Sequence, residues 1–201
     1  MRTPVRRTGD VMRLTTATAL LLAAAACARA AQTPSSEPPE PVAAVADVMS
    51  ANVELRDPAG APVGTARLTG DEDGTIRLEL HAQRLPPGTH GVHFHAVGSC
   101  QRGDSAAFYS AGGHHNPLSR KHGLENPEGP HAGDLPNLTV DASGVGHLDT
   151  QTARATLRAG PATLFDADGS ALVVHAAEDD QKTDPAGNSG ARIACGVVTK
   201  S

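Results

Sequence analysis

Tryptophan is absent from the sequence, and tyrosine occurs once, at Tyr109. Aromatic residues make up only 2% of the 201, so rings cannot fill the interior. A core must come from Val, Leu, Ile and Ala, which a 39% hydrophobic content allows. Long apolar runs are also missing. The stretch Leu14–Ala26 falls short of the roughly 20 residues an ordinary membrane span needs. There is no excess of positive charge, since 22 Asp and Glu outnumber 17 Lys and Arg. That balance lacks the electrostatic footprint of a nucleic-acid binder. Cysteine is scarce, at three residues.

The first 27 residues read as a lipoprotein-type signal. Arg2, Arg6, Arg7 and Arg13 precede or flank the short apolar run, and Ala24-Ala25-Ala26-Cys27 resembles a lipoprotein cleavage box with Ala24 in place of the usual Leu. Cys27 is the expected lipidation site, with simple cleavage as the alternative. Such a chain is exported to the periplasm or cell envelope and meets a membrane only through its lipid. The segment holds four Arg and one Asp, a net +3, so the remainder carries −8 rather than the −5 of the whole chain. Residues 28–45 include Pro34, Pro38, Pro39 and Pro41 among Ser, Glu and Ala, and read as a linker. With Cys27 in the signal, Cys100 and Cys195 remain as a candidate pair in a compartment where disulfides persist, or as two free thiols.

Glycine and proline are abundant, at 21 and 15 residues, which indicates many turns and few long helices. From about residue 46 to 201 the chain reads as one all-β domain, an antiparallel sandwich or barrel. Alternation marks strands at Asn52–Arg56, Val63–Leu68 and Ile76–Leu80, with turns at Asp57-Pro58-Ala59-Gly60 and at Thr69–Gly74. Leu85-Pro86-Pro87-Gly88 breaks the pattern, and Gly91–Val97 resumes it. Further strands are expected at Leu138–Asp141, Val145–Leu148, Leu172–His175 and Arg192–Val198. Between them Gly98–Asn137 fits no strand, and a loop of that length in a compact domain implies a function or a bound group. Ala176–Ala191 is a second irregular stretch.

The histidines carry the chemistry. In His93-Phe94-His95 the two imidazoles share one strand face and Phe94 points the other way, into the core. The long loop adds His114, His122, His131 and Asp134, separated by seven, eight and two residues, a donor set suited to tetrahedral zinc. His175 ends an apolar strand. By itself it reads as an edge histidine, and it gains meaning only if a copper ion needs imidazoles beyond His93 and His95.

These segments resemble the Cu/Zn superoxide dismutase family of the bacterial envelope type. The resemblance rests on Gly91-Val92-His93-Phe94-His95, Ser110–Gly123, Pro130-His131-Ala132-Gly133-Asp134-Leu135, Val173-Val174-His175-Ala176 and Gly187–Val197, five motifs in order across roughly residues 50–198. It implies a Greek-key, immunoglobulin-like barrel with two functional loops. It implies that His93, His95, His114 and His175 bind one copper ion, and that His114, His122, His131 and Asp134 bind one zinc ion, His114 bridging the two. Asp179 would link ligands of both metals, Cys100 would pair with Cys195, and Arg192 would guide the superoxide anion, with Lys182 at the rim. The implied reaction is dismutation of superoxide to oxygen and hydrogen peroxide, His114 delivering a proton. A non-catalytic copper and zinc carrier on the same fold is the alternative. His115 stands where the family usually has an aromatic residue, and counting back from Asn116-Pro117 places the bridge on His114. Gln181 also replaces an aromatic. His81, His90 and His147 read as structural or solvated. The domain would be a monomer or homodimer.

Overall fold

A computed structural model describes residues 49–103 and 106–201, so the expected signal, its Cys27 and the linker lie outside the described residues. Ten strands form one antiparallel sheet: β1 (Met49–Arg56), β2 (Pro62–Gly70), β3 (Ile76–Ala82), β4 (Gly88–His90), β5 (Val92–His95), β6 (Leu138–Val140), β7 (Gly146–Thr152), β8 (Ala171–His175), β9 (Arg192–Val197) and β10 (Thr199–Lys200). The spatial order is β4-β6-β7-β3-β2-β1-β9-β8-β5, with β10 paired to β1. The edge strands β4 and β5 are consecutive in the chain and only Gly91 separates them. The sheet therefore curls until its two edge strands adjoin, giving a nearly closed barrel.

The barrel follows from a period of two. In β3, Ile76, Leu78, Leu80 and Ala82 face the core while Arg77 and His81 are exposed and Glu79 is half-buried. Val53, Leu55, Leu68, Leu138, Phe94 and Leu172 join them in one apolar cluster. Strand β8 departs from alternation because all five of its residues are buried. Leu172 and Val174 enter the barrel core, whereas Ala171 and Val173 pack outward with Phe108, Ala111 and Cys195. The second face of β8 is covered by the long loop, which is why its sequence is an unbroken apolar run.

Two short strands escape sequence reading. β4 follows Pro86-Pro87 directly, where a break was expected, and β10 extends the barrel past β9. Each is too short to show a period. Between β5 and β6 the only regular element among the described residues is a 3₁₀ turn at Tyr109–Ala111. Cys100 and Cys195 form a disulfide, with Cα atoms 5.7 Å apart, that ties the start of this loop to β9. It closes a span of 95 residues, worth about 4–5 kcal/mol on the chain-entropy argument.

Candidate metal centre

Strand β5 sends His93 and His95 to one side and Phe94 into the barrel core. The end of the neighbouring β8 supplies His175, since Val92 pairs with Val174 and His93 with Val173. The loop folds back over β5: His115 N–H donates to the Phe94 carbonyl at 2.8 Å and Phe94 N–H to the Gly133 carbonyl at 2.9 Å. Isolated bridges align His95 with His114 and His93 with Asp134. Two loop segments are thereby laid against a rigid strand, and their side chains converge.

Donor nitrogens of His93, His95, His114 and His175 lie within 4.8 Å of one another. Each neutral imidazole has one N–H and one lone pair, so the partner of one nitrogen fixes the role of the other. His93 Nε2 donates to Asp179 Oδ2 at 2.7 Å, which leaves Nδ1 as acceptor. His95 Nδ1 donates to the Gly112 carbonyl at 2.9 Å, and His175 Nδ1 to the Gly190 carbonyl at 3.2 Å. Their free Nε2 atoms then face each other at 3.4 Å. His93 Nδ1 and His114 Nε2 are buried without any hydrogen-bond partner. Four unprotonated nitrogens thus surround one point, an arrangement that repels itself unless a cation sits there, and imidazole donors suit copper.

The second group is built around Asp134. Its Oδ2 accepts from the backbone N–H groups of Gly123 and His131, at 2.8 and 2.9 Å. Its Oδ1 meets His114 Nδ1, His122 Nδ1 and His131 Nδ1 at 2.9, 3.1 and 3.2 Å. One carboxylate oxygen has about two lone-pair sites for these three ring nitrogens, whereas a tetrahedral cation satisfies all four atoms. By donor distance alone His93 groups with His114, His122 and Asp134. Its Nε2 is already given to Asp179, however, so its one lone pair serves the first group and His131 completes the second.

Asp179 joins the halves, taking His93 on Oδ2 and His122 Nε2 on Oδ1 at 3.0 Å. It is oriented by Gln181 N–H, by a reciprocal pair of bonds with Asn137, and by the lack of a side chain at Gly187, whose φ is +61° and whose Cβ would strike the carboxylate. Gln181 also bonds Leu124 N–H and the Leu135 carbonyl, both at 3.3 Å, and so fastens the second irregular stretch to the first.

The protonation energies differ between the halves. Burial holds His93 down at about 3, against the pull of Asp179, and His175 at about 4. Burial also keeps His95 well below the ordinary value. For His122 burial opposes the charge, but bonds to Asp134 and Asp179 outweigh it and raise the ring to about 9. Burial would raise Asp134 and Asp179, yet their histidine partners hold both below the usual carboxylate range.

His114 belongs to both groups, while His115 belongs to neither and instead pins the loop to β5 through its backbone. Arg192, opposite His175 in the β8–β9 ladder, donates to the carbonyls of Phe108 and Gly112, both at 2.6 Å. Gly112 therefore orients His95 and Arg192 together. The guanidinium lies 5.8 Å from the ring of Tyr109, which is 77% exposed, in a shallow depression with Gly190 and Ala191. Lys182 is paired with Glu125 at 2.7 Å on the surface. His90 is buried, its Nδ1 2.8 Å from the His175 carbonyl and its Nε2 2.8 Å from the Pro86 carbonyl.

Three supporting residues went unread in the sequence. Arg154 donates to the Asp134 carbonyl at 2.7 Å, Asp184 accepts from His122 N–H at 2.9 Å, and Asn137 brackets Asp179. Asn137 lies two residues past the motif that begins at Pro130 and ends at Leu135. Arg154 and Asp184 sit far from their partners in the chain, in segments without a pattern.

Fold and cluster together define an antiparallel β-barrel protein with a histidine-rich metal-binding centre. The family model for copper/zinc superoxide dismutase (SODC) matches residues 63–198, and the chain belongs to that family. Similar proteins include the "Superoxide dismutase [Cu-Zn] 1" of Aquifex aeolicus, 42% identical over 156 residues, covering 77% of this chain and 90% of that one. The "Superoxide dismutase [Cu-Zn]" of Caulobacter vibrioides is 40% identical over 152 residues, covering 74% and 85%. Among solved structures, a SOD-like protein from Bacillus subtilis is 41% identical with a TM-score of 0.68, covering 73% of this chain and 96% of that one.

Proposed function

We propose that the protein dismutates superoxide, two superoxide anions and two protons giving one oxygen and one hydrogen peroxide. In this reading His93, His95, His114 and His175 hold copper, and His114, His122, His131 and Asp134 hold zinc. The observation that carries it is His114, whose Nδ1 faces Asp134 while its Nε2 is buried and unpartnered among the other three imidazoles. Copper supplies a one-electron couple, and zinc, which has none, supplies fixed charge and order.

The chain's own residues do the rest. His93, His95 and His175 are kept unprotonated by burial and aimed by Asp179, Gly112 and Gly190. His114 Nε2 is the atom placed to hold a proton and release it toward the reduced substrate. Arg192 is the cation at the depression beside this group. It concentrates an anionic substrate locally on an otherwise acidic chain, the kind of focusing that raises association rates about 10–1,000-fold, for which superoxide dismutase is itself among the standard illustrations. Lys182, shared with Glu125, contributes less.

Export and lipidation at Cys27 would place the domain, from about residue 46, on a linker in the periplasm or cell envelope. The exported compartment agrees with the Cys100–Cys195 disulfide. The test is superoxide turnover by protein loaded with copper and zinc. Stoichiometric binding of both metals without turnover would reassign the protein as a metal carrier. Membrane release on Cys27→Ser tests the anchor.

A further inference from the structure

Two histidines lie outside the buried centre. His81 on β3 and His147 on β7 are direct partners in the antiparallel ladder, and both are exposed on the outer face of the barrel. Their ring centroids are 4.4 Å apart and their Nδ1 atoms 3.2 Å apart. In the absence of an ion, one Nδ1–H donates to the other Nδ1. The same separation has a second meaning. With metal–nitrogen bonds of about 2.0–2.1 Å, two adjacent ligands of a tetrahedral or square ion lie about 2.9–3.4 Å apart. Rotating the donor's proton to its Nε2 leaves two lone pairs at the edge of a coordination polyhedron.

The surroundings do not oppose a cation. Glu79 and Asp149, the next opposed pair on this face, sit one step along the ladder. Arg77 spans them, at 3.4 and 2.5 Å, and so offsets one of the two charges. Glu54, paired with Arg56 at 2.6 Å, lines the surface grooves that His81 also lines, and Arg67 opposes Glu79 across β2 and β3. The backbone under both rings is locked, because β3 pairs continuously with β7 from Ile76–Thr152 to Ala82–Gly146 and with β2 on its other side. Little ordering entropy remains to be lost on binding.

We propose that His81 and His147 form a second metal site, a cross-strand chelate for a divalent transition ion that prefers imidazole, such as Cu(II) or Zn(II). Water fills the remaining positions, so the ion is held openly and exchanges freely. The site is independent of the buried centre and of whether that centre turns over superoxide.

The probe is Zn(II), titrated into protein whose buried centre already carries copper and zinc, with bound metal counted by equilibrium dialysis. Wild-type protein is expected to take up one further equivalent, to shift the ¹⁵N signals of the His81 and His147 Nδ1 atoms, and to melt at a higher temperature with the ion present. Removing either arm of the chelate, in His81→Ala or in His147→Asn, is expected to weaken that uptake by about 100-fold or more and to abolish both the shift and the stabilisation. Superoxide turnover should be unchanged in both variants. Absence of a further equivalent in the wild type, or its survival in either variant, overturns the proposal.

Discussion

The two halves of the buried centre meet at His114 and Asp179 yet are made by opposite means. The half assigned to copper is borne by the barrel. His93, His95 and His175 project from β5 and β8, whose ladder is fixed by core residues such as Phe94, Leu172 and Val174. Its donors are neutral rings held unprotonated by burial. The half assigned to zinc is borne by the loop. His114, His122, His131 and Asp134 are spread along a segment with almost no regular structure, and a carboxylate shared by three rings gathers them. One half is a site the fold presents. The other is a site that holds its own loop in place, and through Gln181 and Asn137 the second stretch as well.

That contrast is open to direct attack. Phe94→Ala removes a fully buried ring from between the two copper-side histidines and should cost about 3–5 kcal/mol of stability. Denaturant unfolding of the metal-free protein measures it, and a much smaller cost would show that the barrel does not set the copper half. Asp134→Asn takes the only anionic donor from the zinc half. Zinc affinity should drop about 100-fold or more while copper still binds, as read by chelator competition. Hydrogen exchange should then quicken across residues 106–137 but not in β5 or β8.

Arg192→Ala is expected to lower turnover about 10-fold at low salt and to flatten its dependence on ionic strength. An unchanged rate would remove Arg192 from substrate guidance. A further test is the pH dependence of the metal-free protein. His93 and His175 titrate near 3 and 4 when folded and near 6.5 when unfolded, so below about pH 6.5 the unfolded chain binds more protons. Stability should fall as pH drops from 6.5 toward 4 and keep falling below that, where the unfolded chain protonates the carboxylates of Asp134 and Asp179 that the fold keeps ionised. His122, raised to about 9, acts in the other sense: its stabilisation is complete below 6.5 and is lost as pH climbs through 9. Thermal melts across this range should show a maximum near neutrality that shifts once metal replaces the protons.

The sequence by itself determined the β class, since alternation in Ile76–Leu80 and the turn at Asp57–Gly60 are local properties of a half-buried strand. It determined which side chains could bind metal, because His93-Phe94-His95 and the spaced histidines of the loop are donors wherever the chain goes. It also marked the residues from Gly98 to Asn137 as a segment with a purpose, since an irregular loop of that length needs something to hold it. Only the tertiary structure decided which nitrogen of each ring is free, for that depends on distant acceptors such as Gly112, Gly190 and Asp179. It alone brought Arg154 and Asp184 to the centre, and it alone set His81 against His147. The physical reason is the same in each case: a ladder register or a carbonyl's position is fixed by cooperative packing of the whole barrel, and residues far apart in the chain carry no local pattern that announces the meeting.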